Sequence, residues 1–424
     1  MSAGNTPKKG MGSIIRFLIA IAVGFWLGFS AVGTLEAATG EFPFEEALLI
    51  VFLVFAFFAA VYLQVILHEG GHLLFGLLTG YKFSSFRIGN CIWMKQGGKI
   101  RLRRFGMPGT AGQCLMRPPE LVDGKMPVML YNFGGAIVNA VMAAIGIVLY
   151  FVLEPLQPLL ATFFAFFGGM GALFAFNNGI PMQINGVDND GRNALSLRKS
   201  PEAMYAMWLQ LKVSEMLTEG YSLKDMPEEW FVVPPIEEMG NTLIAFRGVT
   251  ACNRLMSEHC FADAEVLLRR YLDGSKDLNP LYRALLTCDL LYCELIGQNR
   301  YEERMRLVDE QQTRMMKALK KTGSVMRTEY AYALLASGDV KKAEKFRAEF
   351  DKLSKNYAYP TDLAEECALM DLALAKRVER TTRPTQTAVE IAPSETEENF
   401  GNEGGRVDTK TENVDEISAP KDEN

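Results

Sequence analysis

Two histidines four residues apart enclose a glutamate in the stretch Val65-Ile66-Leu67-His68-Glu69-Gly70-Gly71-His72. On a helix, side chains at i and i+4 share a face, so His68 and His72 can ligate one metal ion. Glu69 is turned about 100° from His68, as suits a base that meets a water instead of the metal. The chain has three histidines and two of them are here, so chance is a poor explanation for H-E-x-x-H. The bland alternative is a pair of polar residues at a helix end. His259, the remaining histidine, stands in the second half of the chain and reads as an ordinary helix residue.

A catalytic zinc takes three protein ligands, so a third group is needed. The segment Phe176–Arg192 offers two carboxylates, Asp188 and Asp190, and both qualify by type. A Gly-flanked acidic turn without metal is the competing reading of this loop.

The elements that must carry these residues are apolar. Ala47 to Leu67 has no charge and only one side-chain amide, Gln64, and it delivers the motif at its end. Three more stretches, Phe17–Leu35, Val128–Leu153 and Leu159–Phe176, approach or exceed the length that spans a bilayer core. A cleaved signal peptide ending near Ala37-Ala38 competes for the first of them. Between Gly80 and Pro127 stand nine basic residues: Lys82, Arg87, Lys95, Lys99, Arg101, Arg103, Arg104, Arg117 and Lys125. Basic loops stay in the cytoplasm, which puts the end of the second span inside. Lys8, Lys9 and Arg16 place the N-terminus on the same side, whereas the acidic loop with Glu36, Glu41, Glu45 and Glu46 and the connection Pro155–Pro158 lack Lys and Arg. The expected topology is four spans with both termini cytoplasmic, and it returns the Phe176–Arg192 loop to the side of the histidines.

Alternation in Phe83–Phe86 and Lys99–Arg103, broken by Gly97-Gly98, suggests a short β-hairpin. From Ser200-Pro201, an N-cap followed by Pro at the first helical position, the chain reads as soluble and helical. A linker with Pro227, Pro234 and Pro235 holds Trp230-Phe231, and helices pair up beyond Asn241. Second helices open at Phe261, Tyr301 and Val340, at spacings of 40 and 39 residues, the pattern of a tetratricopeptide-like array; an irregular helical bundle fits almost as well. The fold class expected is therefore mostly α: a polytopic membrane protein with about four transmembrane helices, a small cytoplasmic β-hairpin and a C-terminal helical domain. Its divisions are a transmembrane metalloprotease domain 1–195, a helix and linker 196–240, a helical-repeat-like domain 241–378 and a disordered acidic tail 379–424.

Net charge is −6, and the tail from Glu379 holds twelve acidic and five basic residues. The acidity belongs to the tail, and no nucleic-acid partner is expected. The seven cysteines show no C-x-x-C pairing, and five of them, in the soluble half, read as reduced buried thiols of a cytosolic domain.

These residues resemble the site-2 protease family of intramembrane zinc metalloproteases. The likeness covers about residues 45–195 and rests on His68-Glu69-Gly70-Gly71-His72, on Gly134-Gly135-Ala136-Ile137-Val138-Asn139, and on Asn178-x-x-Pro181 followed by Asp190-Gly191. It implies zinc ligands His68, His72 and Asp190, Glu69 as catalytic base, and Asn178 as a substrate-binding residue. The interval Met182–Asn189 departs from the compact Pro-rich approach usual in the family and keeps Asp188 in play as the third ligand. The implied substrates are transmembrane helices, which must unwind before a peptide bond is exposed; the 83–104 hairpin could supply an edge for the unwound strand. Trimming of short signal or pheromone peptides is a second use for the same site. A metal-free membrane scaffold working through its helical repeats, with a protein partner on the C-terminal domain, is the non-enzymatic alternative. The expected location is the cell membrane.

Overall fold

The computed structural model describes residues 11–38, 43–106, 110–184 and 187–382. Lys8, Lys9, Glu41, the middle of the acidic loop at 185–186 and the tail from 383 onward lie outside the described residues. The fold is mostly helical, with one four-stranded sheet.

Four long helices come from the apolar stretches: α1 (Met11–Ala38), α2 (Pro43–Leu78), α3 (Met129–Leu153) and α4 (Pro158–Gly179). From Ala47 to its end α2 is long and apolar enough to cross a membrane, as are α3 and α4; the described apolar stretch of α1, Leu18–Thr34, is shorter. These helices are apolar on both faces: in α2, Ala56 and Ala60 are buried while Phe55 and Phe58 are exposed. Small residues let the helices approach closely. A Cβ built on Gly146 would stand 3.0 Å from the Gly168 backbone, where α3 meets α4. Among the buried polar side chains of these helices, Gln64 donates to the Phe167 carbonyl of α4 at 2.8 Å. Helix α2 does not stop at Leu67 but runs unbroken through the histidine motif to Leu78.

The sheet holds β1 (Lys82–Ile88), β2 (Cys91–Gln96), β3 (Lys99–Arg104) and β4 (Gly112–Arg117), antiparallel in the order β3-β2-β1-β4. The expected hairpin between 83–86 and 99–103 is replaced by two hairpins, because the chain reverses twice. Gly89 and the Gly97-Gly98 pair adopt φ of +56°, +54° and +76°, the left-handed region that tight hairpin turns require. Strand β2 therefore lies between the two predicted strands. At the far edge, the Arg104 amide donates to the Asn356 carbonyl at 3.0 Å, and Arg104 forms a parallel bridge with Tyr357. At the other edge stands β4.

Beyond α4 come the two-residue strands β5 (Gln183–Ile184) and β6 (Val187–Asp188), then α5 (Asp190–Ser196) and α6 (Pro201–Glu219). Helix α6 starts as its sequence dictates: the Ser200 hydroxyl accepts from the Ala203 amide, and Pro201 occupies the first turn. The remaining helices are α7 (Thr242–Ser257), α8 (Phe261–Gly274), α9 (Pro280–Ile296), α10 (Tyr301–Leu307), α11 (Glu310–Ala318), α12 (Gly323–Leu335), α13 (Val340–Ser354) and α14 (Pro360–Thr382). Helices open at Phe261, Tyr301 and Val340, yet α11 interrupts the alternation. One apolar core runs from Tyr81, Met116 and Tyr131 through Trp208 and Leu211 of α6 to Leu290, Tyr330 and Met370.

Three expectations are corrected here. His259 is not helical: α7 ends at Ser257, and His259 takes φ +59° in the turn before α8, exposed and stacked on Phe261. Cys260, in the same turn, is an exposed thiol rather than a buried one. Residues 379–382 belong to α14, where Arg380 donates to the Gly297 carbonyl at 2.7 Å, so the helix passes the boundary placed at 379.

Candidate metal centre

Because α2 is continuous across the motif, His68 and His72 project from one face, and the chain returns at α5 to bring Asp190 against them. Asp190 Oδ2 lies 3.2 Å from His68 Nε2 and 3.4 Å from His72 Nε2, and the two Nε2 atoms are 3.2 Å apart. The three ligand atoms all lie within 4.8 Å of one another.

The far nitrogen of each imidazole is already engaged. His68 Nδ1 donates to Asn139 Oδ1 at 2.6 Å, and His72 Nδ1 donates to the Tyr131 carbonyl at 2.8 Å. A proton fixed on Nδ1 leaves the Nε2 lone pair as the free donor, and both Nε2 atoms face Asp190. Asn139 is oriented in turn, since its Nδ2 donates to the Gln64 carbonyl at 3.0 Å and to Gln64 Oε1 at 2.7 Å. The lone amide of the second span is thus the outermost link of a chain ending on His68.

The glycines of both motifs are set by space. A Cβ on Gly71 would stand 2.3 Å from the Gly134 carbonyl oxygen, and one on Gly135 would stand 2.5 Å from His68 Cε1. Helices α2 and α3 touch through main chain at this point, whereas Gly70 has nothing within 4 Å.

Asp188 is placed differently from Asp190. Its carboxylate pairs with Arg192 Nε at 2.9 Å. Asp190 owes its position to Asn189, which caps α5: Asn189 Oδ1 accepts from the Arg192 and Met182 amides, and its Nδ2 donates to the Asn177 and Ile180 carbonyls. Gly191 follows because α5 presses on the end of α4; a Cβ there would be 2.2 Å from the Gly179 oxygen. Close approach, and not a special turn conformation, accounts for the Asp-Gly pair. Asn189 carried a sequence signal as a good N-cap residue; Tyr131 carried none, because it acts through its main chain.

Glu69 is 8% exposed and opens on a cavity of about 750 Å³ that also touches His68, His72 and Asp190. Gly112 of β4 lies against Glu69, and the walls include Met207 and Gln210 of α6 and Leu243 of α7. Asn178 lines the cavity too, with its Nδ2 donating to the Phe174 carbonyl at 3.0 Å. The strand edge at this cavity belongs to β4, not to the 83–104 hairpin. Strands β1 and β2 are paired on both sides, and the outer edge of β3, met by Asn356 and Tyr357 at Arg104, does not line this cavity. The Gly89 amide donates to the Ala111 carbonyl, so by alternation Gly112 and Cys114 turn their main-chain groups away from β1. The Cys114 carbonyl is taken by the Tyr131 hydroxyl at 3.0 Å.

Comparison of the chain with protein families, with curated proteins and with solved structures finds no match.

Proposed function

We propose that this chain is a membrane-embedded zinc metalloendopeptidase of the site-2 protease kind, cleaving peptide bonds in or near transmembrane segments. The observation that carries this reading is the convergence of Asp190 Oδ2 of α5 on His68 Nε2 and His72 Nε2, which stand with Glu69 on a helix apolar enough to cross a membrane.

The donor set suits zinc: two neutral imidazoles with Nδ1 tied off, one carboxylate, and an adjoining cavity for substrate. A zinc ion held by His68, His72 and Asp190 would supply Lewis acidity, which polarises a peptide carbonyl and acidifies water near neutral pH. The chain's own residues do the rest. Glu69 accepts the proton of the attacking water and returns it to the departing amine. Gly112, at the free edge of β4, offers its main-chain amide to an extended substrate segment, and Asn178 lines the cavity along its path. A peptide still folded as a helix has its amides paired internally, so it must unwind to use this edge.

In this reading α1 to α4 are four spans, the sheet and α5 to α14 are cytoplasmic, and the acidic loop and the α3–α4 connection face outward. The paired helices from α7 onward form a tetratricopeptide-like platform for a protein partner. The test is direct. The purified chain in detergent should hold one zinc per molecule and cleave unfolded casein; chelation should stop cleavage and zinc should restore it. Metal-free protein, or cleavage indifferent to chelation, would contradict the proposal.

A further inference from the structure

Arg87 counts among the nine basic residues of the 80–127 segment, yet it is 1% exposed, one of the largest side chains the fold hides completely. Among the described residues it forms no ion pair. A buried guanidinium without a paired carboxylate is costly, and an apolar side chain would fill the same space without that cost. Its hydrogen bonds therefore carry the information. Nη1 donates to the Gly89 carbonyl at 2.8 Å, and Nη2 donates to the Gly112 carbonyl at 3.1 Å and to the Thr110 hydroxyl. These acceptors lie in the β1–β2 turn and at the start of β4.

Gly112 touches Glu69 as well. A Cβ built on it would stand 2.6 Å from Glu69 Cγ and 2.7 Å from Glu69 Oε1. One peptide unit is thus held by Arg87 through its carbonyl and lies with its Cα against the catalytic carboxylate. We propose that Arg87 is a positioning residue that presses the Gly112 main chain onto Glu69 and so fixes the carboxylate of the base. This role rests on the protease reading above. Arg87 does not touch the metal ligands; it acts through Gly112, whose carbonyl it holds.

The experiment measures zinc content, kcat and KM for dye-labelled casein on the full chain in detergent, with wild type and Glu69→Gln alongside. In Arg87→Gln, zinc content should stay at the wild-type level and KM should hold, while kcat falls about tenfold per zinc-loaded molecule. Arg87→Lys should recover part of that loss. Gly112→Ala should lower kcat similarly, and the double variant Arg87→Gln/Gly112→Ala should be no worse than the poorer single, since both act through one contact. If Arg87→Gln does not fold, Thr110→Val removes a single hydrogen bond and should lower kcat by about threefold. An unchanged kcat in Arg87→Gln or Thr110→Val, loss of zinc in either, or multiplicative effects in the double variant would overturn the role. A wild type without zinc-dependent cleavage would overturn the protease reading and this role with it.

Discussion

Asn139 Oδ1 accepts a hydrogen bond from His68 Nδ1 at 2.6 Å, and its amide is anchored on Gln64 one helix away. A partner of this kind fixes the tautomer and the angle of a ligating imidazole, and its removal typically costs 10–100-fold in metal affinity. Asn139→Ala should weaken zinc binding by about that factor, read by titration against a chelator. Gln64→Ala, one link further out, should cost less. Affinity unchanged in Asn139→Ala would mean that the imidazole is held some other way.

The two glycines inside the motif should behave differently. Gly71→Ala places a methyl 2.3 Å from the Gly134 oxygen and must separate α2 from α3, whereas Gly70→Ala meets nothing within 4 Å. Forcing a methyl into a packed contact costs about 1–3 kcal/mol. We expect Gly71→Ala to lower thermal stability in detergent and lose zinc, and Gly70→Ala to match the wild type in both. Equal tolerance at the two positions would refute the close packing.

The third ligand is tested by a pair of carboxylates two residues apart. Asp190→Ala leaves two histidines, too few for tight zinc binding, and should lose metal and activity together. Asp188→Ala breaks only the pair with Arg192 and should keep most of its zinc. The reverse pattern would move the ligand to Asp188.

What could be read in the sequence is what depends on neighbours along the chain. His68, Glu69 and His72 were legible because a helical period is local, and the strand at Lys99–Arg104 because its alternation is. Asp190 was narrowed but not separated from Asp188, since the difference lies in Asn189 reaching back to carbonyls at 177 and 180. Strand β4 went unread: Gly112–Arg117 is short, and its burial reflects packing on α2 and Tyr131 from distant parts of the chain. Arg87 read as one more cytoplasmic charge, because nothing in its neighbours reveals that its acceptors are main-chain oxygens up to 25 residues away.

Topology is open to reporter fusions. Fusions after Gly40 and Gln157 should report the outer side, and those after Gly98 or Asp273 the cytoplasm, as the basic segment between α2 and α3 demands. A cytoplasmic signal at Gly40 or Gln157 would break the four-span arrangement.

The most direct test of a zinc protease built on His68, His72 and Asp190 is to measure zinc stoichiometry and casein cleavage on the same preparations of wild type and Glu69→Gln. In the proposed mechanism Glu69 is the base and not a ligand, so Glu69→Gln should retain one zinc per molecule while cleavage falls by at least about 100-fold. Loss of zinc together with activity would make Glu69 a ligand, and cleavage at the wild-type rate would remove it from the chemistry altogether.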